Sequence, residues 1–189
     1  MPERIGVLAI QGDFEKHLDA VRRTSPGVET REVRTSEELS AIDRLIIPGG
    51  ESTTVGLLLE RYGLGEAICR RAQEGMPIWG TCMGMILLAR EIEGRDQYRL
   101  GLLDITVVRN AFGAQIHSFE DTVAFAGVDH PVTGVFIRAP VVCRVGDGVE
   151  VLSRYQDRIV AVRAGRVVGT SFHPELTDDV SVHRWFVDL

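Results

Sequence analysis

Five residues restrict the fold of this chain more than any others: Gly80-Thr81-Cys82-Met83-Gly84. Before them, Gly75-Met76-Pro77 is turn chemistry and Pro77 to Trp79 reads as a short buried strand. After them, Met85 to Glu91 continues in helix formers. A strand that becomes a helix within five residues needs glycine on both sides of the bend, for strained backbone and for close helix–strand packing. Such an elbow pushes the Cys82 sulfur out of the sheet layer. It also brings the sulfur toward the free N–H groups of a helix N-terminus, whose partial positive charge favours a thiolate and can receive an oxyanion. Taken alone, the pattern equally describes a core cysteine, since Cys is among the most buried residue types. A functional reading needs a partner for it.

The segments before the elbow set the fold class. Arg4 to Ile10 is near-continuously apolar, as in a strand covered on both faces. Gln11-Gly12-Asp13 turns, and Phe14 to Arg23 carries Phe14, Leu18 and Val21 at helical spacing. Val28 to Val33 and Asp43 to Ile47 are further strands, with a short turn or helix start at Ser36-Glu37-Glu38-Leu39 between them. A helix from about Gly65 to Glu74 leads into the elbow. Strand–helix–strand alternation predicts a three-layer α/β fold with a mostly parallel, doubly wound sheet. In such sheets the functional loops gather at the carboxyl ends of the strands. Here these are Gln11-Gly12, Pro48 to Thr54, and Gly80 to Gly84. The second half reads as an antiparallel extension: Leu100 to Arg109, Glu120 to Val128, Val132 to Arg138, Val141 to Val145, Val149 to Tyr155, Ile159 to Ala164 and Val167 to Phe172. Hairpin turns are expected at Gly146-Asp147-Gly148 and Ala164-Gly165-Arg166, and a last helix over Thr177 to Leu189. With 189 residues and neither linker nor repeat, a single domain over 1–189 is expected.

Several function classes are disfavoured. The net charge is −6, with 27 acidic against 21 basic residues and no basic run interleaved with aromatics, which argues against nucleic-acid binding. Apolar runs are too short to span a membrane, and the N-terminus lacks a secretion signal. Cys69, Cys82 and Cys143 are odd in number and widely spaced, which argues against a disulfide framework and a structural zinc site. A cytoplasmic home is expected, with no metal and no cofactor.

The partner is sought in Ser171-Phe172-His173-Pro174-Glu175. Proline holds the His173 backbone extended, and Pro174 suits the first position of a helix with Glu175 in its first turn. The carboxylate can then fix one imidazole nitrogen and aim the other across the strand ends at Cys82, the logic of nucleophile, base and orienter. His17, His117, His130 and His183 lack such a partner in sequence and read as structural or solvated. In Pro48-Gly49-Gly50-Glu51-Ser52-Thr53-Thr54, two glycines allow close backbone approach to a ligand, and Ser52 or Thr53 can cap the helix through Leu57-Leu58-Leu59. It is not a P-loop, because it lacks the spaced second glycine and the lysine.

As a set, these three motifs resemble the class I (triad) glutamine amidotransferases. Within them, the likeness is closest to the family of glutaminase subunits of two-component pyridoxal 5′-phosphate synthases. Gly6 to Gly12, Arg109-Asn110-Ala111-Phe112-Gly113, Ser118-Phe119-Glu120 and Gly134 to Pro140 extend it over almost the whole chain. The resemblance implies hydrolysis of L-glutamine to L-glutamate and ammonia. It further implies that ammonia passes, without release to bulk water, to a (β/α)8-barrel synthase subunit in a large hetero-oligomer, which joins it to ribose 5-phosphate and glyceraldehyde 3-phosphate. By position, it implies Cys82 as nucleophile, His173 as base and acid, and Glu175 as orienter. Gly49, Gly50, Glu51, Arg109, Ile137 and Arg138 become glutamine contacts, Gly50 and Met83 supply oxyanion N–H groups, and Gln11 lies on a loop near site and partner. The chain departs from the family pattern at Met83, commonly Ala, and at Ala114, commonly Arg. Another triad amidase, such as a γ-glutamyl hydrolase, and a non-catalytic cysteine module of similar fold remain the alternatives.

Overall fold

A computed structural model describes residues 3–24, 27–112 and 118–189. Ala114 and His117 therefore lie outside the described residues. The alternation read from the first half is present: β1 (Arg4–Leu8), α1 (Phe14–Thr24), β2 (Glu29–Val33), α2 (Ser36–Ser40), β3 (Arg44–Ile47), α3 (Ser52–Arg61), α4 (Leu64–Gln73), β4 (Ile78–Thr81) and α5 (Met83–Leu88). Then follow β5 (Ala89–Ile92), β6 (Leu103–Val108), β7 (Ser118–Val123), β8 (Val132–Ile137), β9 (Val141–Val145), β10 (Glu150–Tyr155), β11 (Arg158–Ala164) and β12 (Val167–Thr170). A 3₁₀ turn at Pro174–Leu176 and α6 (Ser181–Val187) complete the order.

The main sheet runs β2-β1-β3-β4-β12-β11-β9-β6-β5, with β10 paired to β11; β7 and β8 form a separate antiparallel pair. From β2 to β12 all neighbours are parallel, and antiparallel pairing begins at β12–β11. Alternate side chains face opposite sides of a strand, and the core divides accordingly. Leu45, Ile47 and Ile78 pack under α2 to α5 on one face. Ile46 and Trp79 pack on the other, with Leu18 and Val21 of α1, Phe186 of α6, and Phe136 of β8. This is the three-layer architecture expected. No helix among the described residues is long and apolar enough to cross a membrane.

Four local expectations need correction. Ala89, Arg90 and Glu91 are good helix formers, yet α5 ends at Leu88 and these residues form β5, where Glu91 pairs with Thr106 and Ile92 with Val107. Sheet pairing overrides their propensity. Gly146-Asp147-Gly148 makes a turn, but β9 and β10 do not pair with each other; both pair with β11, so no hairpin forms there. The Gly165-Arg166 turn does join a paired hairpin. The last helix is broken: Thr177 is extended, and the Asp179 carboxylate accepts from Ser181 N at 2.9 Å, restarting the helix as α6. Finally, α3 is capped by neither Ser52 nor Thr53, but by Glu51, whose carboxylate accepts from Thr53 N and Thr54 N at 3.1 and 2.8 Å.

The elbow glycines are tightly enclosed. A Cβ on Gly80 would strike the Gly84 backbone, and one on Gly84 would strike the Ile47 carbonyl. Helix α5 thus sits directly on the ends of β3 and β4, and neither neighbour is a flexible side chain that can give way. Gly84→Ala is expected to lose about 1–3 kcal/mol by overpacking, read as a lower urea midpoint at unchanged slope.

Candidate active site

Strands β3, β4 and β12 are sheet neighbours, with Thr81 opposite Thr170 and Gly80 opposite both Ile47 and Gly169. Gly49, Cys82 and His173 therefore leave the sheet at the same carboxyl edge, although His173 is remote from the others in sequence. Trp79 Nε1 donates to Thr170 Oγ1 at 3.0 Å, and Cys82 N donates to the Thr170 carbonyl at 2.7 Å, so the ends of β4 and β12 are clamped together.

Cys82 occupies the bend with φ 50° and ψ −102°, a strained conformation for a residue with a side chain. The residue is buried, with 8% of its surface exposed. The sulfur lies 3.7 Å from the Ile137 carbonyl, close enough to the His173 ring to act on its electrostatics. The His173 backbone N–H donates to the Val135 carbonyl of β8 at 2.8 Å, which fixes where the ring begins. Its Nδ1 lies 2.7 Å from Glu175 Oε1, leaving Nε2 as the free ring nitrogen.

The electrostatics follow from burial against pairing. Burial pulls the His173 imidazolium down, but hydrogen bonds and charge from Cys82 and Glu175 outweigh it and push its pKa up to about 10. Burial alone would raise the Glu175 carboxyl; the buried His17 and His173 rings that face it hold it at about 2 instead. Glu51, raised by burial, is likewise brought down to about 2 by the N–H groups of Thr54 and Thr53. Both depressed carboxylates stabilise the folded chain above their unfolded value near 4.5, and that contribution is lost as pH falls toward 2. Urea unfolding followed across this range should show falling stability, with a shallower fall in Glu175→Gln. An equal fall in both proteins would contradict the linkage.

The other expected positions are arranged around this centre. A Cβ on Gly49 would fall on the His173 ring, so the loop backbone lies directly against the imidazole. Gly50 faces the Gln11 amide and the end of the buried Met83 side chain. Gln11 Oε1 accepts from Glu51 N at 2.8 Å, tying the loop after β1 to the loop after β3. Arg109 Nη2 is 3.6 Å from Glu51 Oε1, and its buried Nη1 has no partner among the described residues. Arg138 is exposed and has φ 45°. Its strained peptide follows the Ile137 carbonyl that meets the sulfur.

Two histidines that read as structural or solvated have carboxylate neighbours the sequence reading did not give them. His130 pairs with Asp129 at 2.8 Å on the surface. His17 is fully buried, and its Nε2 lies 3.4 Å from Glu175 Oε2. The signal for His17 was its place on α1: it lies beside Leu18 and four residues before Val21, on the stripe that faces the sheet.

A sulfur, an imidazole and a carboxylate are thus gathered at the rim of a parallel sheet, beside a glycine loop. The chain belongs to the SNO glutamine amidotransferase family, whose model matches residues 7–189. It is 54% identical to pyridoxal 5′-phosphate synthase subunit PdxT of Thermus thermophilus, over 98% of this chain and 96% of that protein. It is 53% identical to the PdxT subunit of Mycobacterium ulcerans over the same shares. A solved glutamine amidotransferase superposes with TM-score 0.92 at 50% identity, with 97% of each chain covered. PurLQS from Thermotoga maritima, at TM-score 0.76 and 18% identity, shares the fold.

Proposed function

We propose that this chain hydrolyses L-glutamine to L-glutamate and ammonia, and that the ammonia serves pyridoxal 5′-phosphate synthesis by a synthase subunit, as the names of its relatives indicate. The observation that carries the reading is the His173–Glu175 pair, 2.7 Å apart, at the sheet edge from which Cys82 also emerges. His173 is held protonated near neutral pH, and the sulfur reacts in its thiolate form. The thiolate attacks the carboxamide carbon, and the oxyanion is received by backbone N–H groups of Met83 and Gly50. His173 gives its proton to the departing nitrogen, so ammonia leaves and a γ-glutamyl thioester remains. His173, now neutral, takes a proton from water as the hydroxyl oxygen attacks the thioester. Collapse releases glutamate and restores the thiolate–imidazolium pair.

Glu175 keeps the imidazole in one tautomer and orientation. Glu51 and Arg109 offer one negative and one positive group close together, which complements the ammonium and carboxylate of a free amino acid. Gly49, Ile137 and Arg138 supply backbone walls, and Gln11 holds the Gly49–Gly50 loop. The chain acts as one glutaminase domain in the cytoplasm, docked on a (β/α)8-barrel synthase subunit within a hetero-oligomer.

Amide-labelled glutamine tests the reading. Label should leave as ammonia from the free chain and enter the vitamin when the synthase subunit and its sugar phosphates are present. γ-Glutamyl peptides should be poor substrates; preference for them would identify a γ-glutamyl hydrolase instead. Glutamate release should accelerate when the synthase is added, since ammonia made without an acceptor is wasted, and equal rates would remove that coupling.

A further inference from the structure

The chain of contacts that starts at Cys82 does not end at Glu175. Its Oε1 faces His173, while Oε2, buried and without a hydrogen-bond partner among the described residues, has His17 Nε2 at 3.4 Å. The same His17 nitrogen lies 3.2 Å from Oγ1 of Thr81, the residue before Cys82. His17 Nδ1 lies 3.0 Å from His183 Nε2 on α6. Both histidines are fully buried, and both pack edge-on against Trp79, at 5.7 and 4.9 Å between ring centroids.

One proton assignment suits these contacts. Burial drives both rings toward the neutral form, which the nearby Glu175 only partly offsets. A neutral imidazole has one N–H and one lone pair. An ionised carboxylate oxygen only accepts, so His17 must carry its hydrogen on Nε2. His17 Nδ1 is then an acceptor, met by N–H from His183 Nε2. The opposite tautomer would set a lone pair against the carboxylate.

We infer that His17 is a positioning residue for glutamine hydrolysis: from α1, across the sheet edge, its Nε2 edge stands 3.4 Å from Oε2 of Glu175 and keeps Oε1 aligned on His173. The inference rests on the triad reading given above. Glu175 sits on a 3₁₀ turn of only three residues, which by itself leaves the carboxylate free to rotate away. His17 supplies the second point that stops the rotation, and its contact with Thr81 ties the same ring to the strand that carries the nucleophile.

Two amide substitutions test this by reach alone. His17→Gln places a side-chain N–H near the Nε2 position, and His17→Asn stops near Nδ1. With the full chain and synthase subunit present, His17→Asn should lower kcat about 10- to 100-fold with KM nearly unchanged, as outer partners of an active-site group do, whereas His17→Gln should stay within about threefold of the parent. Thermal melts establish that each variant is folded. Equal kcat for the two folded variants, or a selective rise in KM, would overturn the inference. Should the Asn variant not fold, the Gln variant decides: near-parental kcat supports the anchor, and a folded but tenfold slower enzyme refutes it. Cys82→Ala run alongside separates the two levels. If that variant is inactive while His17→Asn is as fast as the parent, only the anchor falls; if it remains active, the triad reading itself falls.

Discussion

Cys82→Ala is expected to lower glutamate release by about a hundred-thousandfold or more, the scale on which removal of a nucleophile abolishes triad hydrolysis. No other sulfur can take over. Cys143 is exposed on β9, and Cys69 lies on α4 among residues packed against the core; among the described residues neither has an imidazole partner. The fold should be preserved, because alanine fills less space than cysteine at the same strained bend, and the backbone bond from residue 82 to the Thr170 carbonyl does not involve the side chain. The measurement is glutamate release over hours together with a thermal melt. Turnover within a hundredfold of the parent would remove covalent catalysis from the account.

Glu175→Gln should cost about ten-thousandfold in kcat, the loss seen when the carboxylate of a triad becomes an amide and the imidazole adopts the wrong tautomer. The reason lies in the 2.7 Å contact with His173 Nδ1. A carboxylate accepts there whatever its rotamer, whereas an amide can turn its NH₂ toward the ring. Without the negative charge, the His173 pKa should also fall from about 10, and with it the fraction of imidazolium that supports the thiolate. KM should change little, since Glu175 does not face the substrate side of the ring. A loss smaller than tenfold would mean that the imidazole is held by other contacts, such as its backbone bond to Val135.

The parts of the site legible in the sequence were those with a local backbone requirement. The Gly80–Gly84 elbow and the His173-Pro174 step each impose a conformation that a reader can recognise without coordinates. What stayed hidden depended on pairing between remote segments. Ala89 to Glu91 are helix formers by composition and become a strand only because Glu91 and Ile92 meet β6. Ser52 looks like a cap by residue type, yet its side chain is buried without a partner and Glu51 takes the role. A histidine on an amphipathic helix reads the same whether solvated or buried, so His17 was placed among the structural ones until α1 was seen lying against Glu175. The β9–β10 turn was read as a hairpin because glycine and aspartate mark a reversal without saying which strands pair across it.

The position of β12 has a consequence for synthesis. Among the described strands it comes latest in the chain, yet it lies inside the sheet between β4 and β11. Until it is made, β4 has no neighbour on that side and the thiol lacks both His173 and Glu175. On the triad reading proposed above, insertion of this strand closes the sheet and brings imidazole and carboxylate to the sulfur in one event, so a polypeptide terminated before it is expected not to consume glutamine.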